Sequence, residues 1–156
     1  MLDIISSMKY EDTIVAVATP PGQGALGIIR ISGPHAHAIL TQIFVPRRAG
    51  RLRARMVRYG HICDHAGHII DEVLATWMPA PHTYTGEDVV EVSCHGGRVV
   101  LESVLQRILA CGARAADPGE FTMRAFVAGR IDLSQAEAVM DVVLAQTCLL
   151  YTSPSP

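Results

Sequence analysis

The sequence contains no C-x-x-C pair, and its four cysteines, at positions 63, 94, 111 and 148, are too sparse for a disulfide framework. Free thiols in a reducing compartment are therefore expected. No apolar run approaches the roughly 18 residues a membrane helix needs. The opening stretch, Met1 to Met8, carries an acid where a secretory signal has a basic end, and its apolar run is too short. An excess of one charge is missing too. Thirteen basic residues against fifteen acidic ones leave a net charge of -2, so any contact with nucleic acid has to come from a local patch. What is present, 49% hydrophobic and 18% charged residues in a chain of 156, fits one globular core and argues against disorder. A cytoplasmic protein without membrane association is expected.

Nucleotide-binding signatures fail on inspection. Gly22-Gln-Gly-Ala-Leu-Gly27 spells G-x-G-x-x-G. A dinucleotide fingerprint needs a helix after that loop and an acid about 20 residues on. Here the β-branched run Gly27 to Ser32 follows, and positions 47 and 48 are arginines. No Lys-Ser/Thr pair follows a glycine at P-loop spacing, and no P-loop, D-x-x-G or N-K-x-D element is read in the chain, so a GTP site is not expected. The glycine loop reads as a turn whose backbone approaches a neighbour or a ligand.

Periodicity places strands near 13–18, 27–32, 56–63, 68–78 and 88–94, and helices near 34–44, 98–111, 118–128 and 133–147. The fold class expected is α+β, a mixed sheet with flanking helices. Ser32 is the expected cap of the first helix, whose stripe is Ala36, Ile39, Leu40 and Ile43. Six arginines lie between Arg47 and Arg58. They read either as a solvated loop and protected sheet edge or as phosphate contacts to RNA. The hairpin around Asp64 to Gly67 carries His61, Cys63, His65 and His68. Hairpin decoration is preferred to a zinc site, because no second ligand pair stands at motif spacing.

The segment from Thr83 to Gly97 organises the rest. A polar turn leads into an alternating strand, and two glycines open a helix striped by Leu101, Val104, Leu105, Ile108 and Leu109. Glu91 shares a strand side with Val89 and Ser93, and reads either as an exposed strand acid or as a ligand-binding carboxylate. Arg30, flanked by Ile29 and Ile31, either snorkels from an edge or holds a carboxylate. His95 serves equally well as a hydrogen-bonding residue or a catalyst. Asp117 with Glu120, and Asp132 with Gln135, have capping-box spacing, and a last stripe of Leu133, Ala136, Met140, Val143 and Leu144 is expected to be buried. From Cys148 the sequence loses helical period and reads as a non-native tail.

Three motifs, "DTIVAVATPPGQGALGIIRISG" at 12–33, "YTGEDVVEVSCHGG" at 84–97 and "DPGEFTMRAFVAGRIDLSQAEAVMDVV" at 117–143, resemble the amino-terminal domain of the tRNA-modification GTPase family called MnmE or TrmE. The resemblance implies a folate-binding and dimerisation domain over 12–117 and the first helices of a truncated helical domain over 118–147; residues 1–11, without clear pattern, read as a loose tail, and 148–156, which depart from the family pattern, as a non-native tail. It implies a fold similar to the tetrahydrofolate-binding domain of the glycine-cleavage T protein. It implies 5-formyl- or 5,10-methylene-tetrahydrofolate as cofactor, held by Arg30, Glu91 and Arg130, the last where the family more usually has lysine. No catalytic residue and no metal ligand is implied in this stretch. A full-length member would add GTP, Mg and K sites, modify the wobble uridine of tRNA, form a homodimer and work with the FAD protein MnmG. Two readings of the residues stay open beside it: a structural or self-associating domain without ligand, and a small metallo-hydrolase using the hairpin.

Overall fold

A computed structural model describes residues 10–20 and 24–151, with side chains described as far as Val142. Positions 1–9 of the expected tail, residues 21–23 of the glycine loop, 152–156 and the side chains of Val143 and Leu144 lie outside the described residues. Seven strands run β1 (Ile14–Val17), β2 (Leu26–Ser32), β3 (Phe44–Pro46), β4 (Arg58–Cys63), β5 (Ile69–Met78), β6 (Val89–His95) and β7 (Arg114–Ala115). Among the described residues the helices are α1 (Ala36–Ile43), α2 (Arg98–Ala110), α3 (Glu120–Val127) and α4 (Leu133–Tyr151). The strands form one mixed sheet in the order β3-β4-β5-β6-β2-β1-β7, antiparallel except for the parallel β1–β7 pair.

Strand alternation decides the two faces of this sheet. Ile29 and Ile31 of β2, Val90, Val92 and Cys94 of β6, Val73 and Ala75 of β5 and Ile62 of β4 belong to one buried cluster with α1 and α2. The α1 stripe, Ala36, Ile39, Leu40 and Ile43, is buried as its spacing predicts. Complete burial of each large aliphatic side chain there contributes on the order of 1.5–3 kcal/mol. On α2, Val104 and Ile108 are buried, and Leu101, Leu105 and Leu109 pack partly on the same core. The opposite face carries the cross-strand row Ala16–Arg30–Glu91–Thr76 and, beside it, Ile28–Ser93–Leu74–Tyr59. Leu74 and Tyr59 on it are 47% and 44% exposed.

Several expectations need correction. Ser32 does not cap α1. The helix begins at Ala36 with His35 at its N-cap and no side-chain cap, the His35 N–H donates to Thr13 Oγ1 at 2.9 Å, and the Ser32 hydroxyl turns to Thr85 and Glu87. Two short strands, β3 and β7, carry no alternation to read. β3 follows α1 without a gap and ends on Pro46, tolerated because this is the sheet edge. The stripe of α4 is not buried: Leu133 is 57% exposed, and Ala136 and Met140 are only half-buried. α4 packs on α3, and a helix with one small neighbour cannot hide a full stripe. α4 also continues through Cys148 to Tyr151, past the point where helical period was expected to fail. Finally, Asp64-His-Ala-Gly67 spells D-x-x-G, yet it is the β4–β5 turn. Asp64 Oδ1 accepts the Ala66 and His68 N–H groups at 2.8 and 2.9 Å, an Asx-type closure with nothing in it for a nucleotide.

Candidate functional site

Arg30 and Glu91 are register partners on adjacent strands, β2 and β6. Arg30 Nε donates to Glu91 Oε1 at 2.8 Å and Nη2 lies 2.7 Å from the same oxygen. Each side chain is 32% exposed, so the pair is half-sheltered on the open sheet face. Phe121, from the first turn of α3, stands with its ring centroid 6.0 Å from the Arg30 guanidinium carbon. Among the described residues, Glu91 Oε2 and Arg30 Nη1 have no hydrogen-bond partner. The structure therefore brings together two of the three residues that the resemblance names.

The third, Arg130, is elsewhere. It is exposed at the α3–α4 joint, its N–H donating to the Ala125 carbonyl at 2.9 Å. Its nearest structural tie is to Gly86, in the turn before β6. A Cβ on Gly86 would stand 2.9 Å from Ala128 Cβ and 3.8 Å from Arg130 Cγ, and the residue has φ +77°. Among the described residues no hydrogen bond or ion pair joins Arg130 to the Arg30–Glu91 pair.

What fixes α3, and so Phe121, is a buried charge network. Arg124 is completely buried. Its Nη2 donates to Asp12 Oδ1 at 2.7 Å and Glu120 Oε1 at 2.9 Å, and its Nη1 to Glu87 Oε1 at 3.1 Å. Arg114 reaches the same acids, with Nη2 at 2.6 Å from Glu120 Oε1 and 2.7 Å from Asp12 Oδ2. The Tyr10 ring covers the Arg124 guanidinium at 4.2 Å. Hydrogen bonds from Arg114 hold the Glu120 carboxyl at about 2, overcoming the opposing effect of burial. Burial alone would raise the Asp12 carboxyl, but hydrogen bonds from Arg114 and Arg124 keep it below its usual value. The network ties the chain before β1, the turn before β6, β7 and α3 into one unit. A signal for it exists in the sequence: Arg124 falls among Phe121, Ala125 and Phe126, where an unpaired cation has no place.

A second arrangement links β5 to the β6–α2 junction. Asp71 is nearly buried and accepts the His95 N–H at 2.9 Å, and its other oxygen lies 2.7 Å from His95 Nδ1. The imidazole itself is 66% exposed. Alternation with Val73 and Ala75 places Asp71 on the core face, and that was readable. Burial, with the nearby Asp71 charge, pushes the Cys94 thiol up to about 12, so Cys94 is an inert core residue. Gly96 passes directly over the glycine loop: its N–H donates to the Ala25 carbonyl at 3.0 Å, and a Cβ there would run into the Gly24 carbonyl. The backbone approach expected of that loop is thus made to a neighbour, the β6–α2 junction.

The hairpin does not gather a metal site. His61 pairs with Glu72 at 3.3 Å and His68 with Asp64 at 3.2 Å, and among the described residues no group of three His, Cys, Asp or Glu converges.

Sheet, network and sheltered ion pair together define a single-sheet α+β domain with helices on one face and a polar-centred surface on the other. The family described as "GTP-binding protein TrmE N-terminus" matches residues 13–130, and the chain belongs to it. Curated relatives agree. The chain is 59% identical over 140 residues to the tRNA modification GTPase MnmE of Roseiflexus castenholzii, covering 90% of this chain and 30% of that protein. It is 61% identical over 136 residues to the MnmE of Chloroflexus aurantiacus, and 56% identical over 137 residues to that of Lactiplantibacillus plantarum, covering 87% of this chain and 30% of each relative. The chain therefore spans about 30% of the length of these relatives.

Proposed function

We propose that the chain is the tetrahydrofolate-binding and dimerisation part of a cytoplasmic GTPase that modifies the wobble uridine of tRNA. The tRNA-modification role draws support from the family and from relatives named for it. The observation that carries the folate reading is the Arg30–Glu91 pair. It is half-sheltered and has an aromatic ring beside it, and it keeps one carboxylate oxygen and one guanidinium nitrogen unused among the described residues. Those are the groups a folate asks for. A carboxylate oxygen accepts from adjacent N–H donors of an aminopyrimidine, and a guanidinium donates to a carboxylate. Arg130, away from the pair, would serve the glutamyl end as a second cation. The folate, as its 5-formyl or 5,10-methylene form, supplies a one-carbon unit for carbon 5 of the uridine. This chain's residues bind and orient it, and none is assigned a catalytic step. GTP, Mg and K belong to the remainder of a longer protein, and a MnmG-type partner would bring FAD.

A structural domain without ligand is the second reading, favoured by one specific observation: Arg30 and Glu91 already neutralise one another's charge. Calorimetric titration of 5-formyltetrahydrofolate separates the two. Binding is expected to the wild-type chain, and Glu91→Ala should weaken it at least about tenfold, roughly 1.4 kcal/mol, with an unchanged circular dichroism spectrum. A folded Glu91→Ala protein with undiminished affinity removes Glu91 from the site. A folded wild-type chain that releases no heat supports the structural reading.

A further inference from the structure

The six arginines from Arg47 to Arg58 remain unused by the folate reading. They span the end of β3, the connecting loop and the start of β4 at the sheet edge. That stretch holds six of the thirteen basic residues and none of the fifteen acidic ones, so the other seven basic residues leave the rest of the chain at a formal charge of -8. Among the described residues none of the six forms an ion pair with a carboxylate. One acid, Glu72, is close enough for Arg47 to help hold its carboxyl below the usual range, behind the larger effects of Tyr59 and His61. Arg47, Arg48, Arg51, Arg53 and Arg55 are exposed. A solvated loop with only a solubilising role has no need of a fixed shape, yet this one is pinned. The Arg55 N–H donates to the Trp77 carbonyl at 2.7 Å and its Nη2 to the His82 carbonyl at 2.7 Å. Arg58 Nη2 donates to the Arg48 carbonyl at 2.8 Å. Arg55 also stands at φ +62°, a backbone state that costs a non-glycine residue on the order of 1 kcal/mol.

Behind the pinned loop lies a cavity of about 420 Å³ lined by His37, Phe44, Pro46, Arg51, Leu52 and Trp77. Trp77 is half-buried, and the His37 ring stacks on it at a tilted 4.1 Å between centroids. A loop of arginines without ion-pair partners, one of which, Arg51, lines an aromatic-walled cavity, combines the two elements by which proteins hold single-stranded nucleic acid: cations along the backbone and ring faces for the bases. From this we infer that the arginine loop is an RNA-docking surface, with the phosphate backbone along Arg47, Arg48, Arg51 and Arg53 and one unstacked base in the cavity against Trp77 and His37. The choice of RNA rests on the tRNA-modification reading above; the folate site plays no part in it.

Trp77 is the single tryptophan of the chain, so its fluorescence reports the cavity alone. Titrating a single-stranded oligouridine into the 156-residue chain at low salt, with anisotropy and tryptophan emission read together, tests the inference. Saturable binding with quenched emission is expected. Removing two phosphate contacts in Arg48→Ala/Arg51→Ala should lower the log–log salt slope by about 1.4. Trp77→Phe, which keeps a ring in the core, should bind more weakly, by less than the roughly tenfold or greater loss a missing stacking face causes. Heparin and vesicles of anionic phospholipid are the comparison probes. Binding of either as tight as RNA, or RNA binding with unquenched emission, overturns the proposal in favour of a general polyanion patch or a membrane-facing one. Absence of RNA binding at low salt overturns it too. Titrating folate into the same preparation keeps this failure distinct from failure of the folate reading.

Discussion

Arg124 is the side chain on which the local geometry turns, because it is the one cation in the described structure that is buried completely and held by three acids. Of those acids Glu120 is the most telling for pH. Its carboxyl is held at about 2 in the folded chain and returns to about 4.5 on unfolding. A depressed carboxylate contributes stability that is fully present above its unfolded value and is lost as pH falls toward the folded one. Acidification from about pH 5 to about pH 2 should therefore remove on the order of 3 kcal/mol through this group. Glu120→Gln should be less stable at neutral pH, since Arg114 and Arg124 lose a partner, and should lack that share of the acid dependence. Urea unfolding of both proteins across that range measures it; parallel curves would show that Glu120 is not the titrating group. At this scale the sequence was uneven. Arg30 and Glu91 were singled out by the family resemblance, whereas strand alternation alone left each open between an exposed and a ligand-holding role. The Arg124 network was not legible, because its partners come from four separate segments that only the assembled fold brings together.

Elements were easier to read than their ends. The stripe of α1 and the alternation of β2, β5 and β6 gave type and burial side, since a buried face leaves a period in the sequence. The capping box at α4 also formed as its spacing predicts: the Asp132 N–H donates to Gln135 Oε1 at 2.9 Å and the Gln135 N–H to Asp132 Oδ1 at 2.8 Å. At α3 only half of a box exists. Glu120 reaches back to the Asp117 N–H at 2.8 Å, while its carboxylate is shared with the arginine network. Ser32 was misread because a hydroxyl before a helix has rivals for its hydrogen bond, and here Glu87 and Thr85 won. The junction most dependent on one residue is the β6–α2 turn, where Gly96 lies against the backbone of Gly24. Gly96→Ala forces two backbones apart and should cost roughly 1–3 kcal/mol, as overpacking does elsewhere. Thermal unfolding reads the loss, with Gly97→Ala as control: its Cβ would find only Val100 Cγ2, at 4.0 Å. Equal effects of the two substitutions would mean that helix-entry flexibility matters, and not the close approach.

On the scale of the whole molecule the two faces of the sheet are unequal, and this bears on self-association. One face is closed by α1 and α2. The other sets the Arg30–Glu91 pair in a surface that leaves Leu26, Val45, Tyr59 and Leu74 exposed, an apolar rim around a polar centre. Contiguous exposed apolar surface on a soluble chain marks an interaction site, and a second copy of the same face is the simplest partner with matching character. Leu74 is the informative position, since it lies mid-row between Ser93 and Tyr59 and is 47% exposed. If a homodimer forms and uses this face, Leu74→Glu places a carboxylate in the interface twice, by symmetry, and should weaken dimerisation by tenfold or more. Sedimentation equilibrium of the wild-type chain, Leu74→Glu and Gln106→Glu compares a change on this face with one on the exposed side of α2. Dissociation confined to Leu74→Glu supports the open face as the dimer surface. A wild-type chain that stays monomeric at high concentration would remove the homodimer reading, and a Leu74→Glu dimer as tight as wild type would move the interface away from this face.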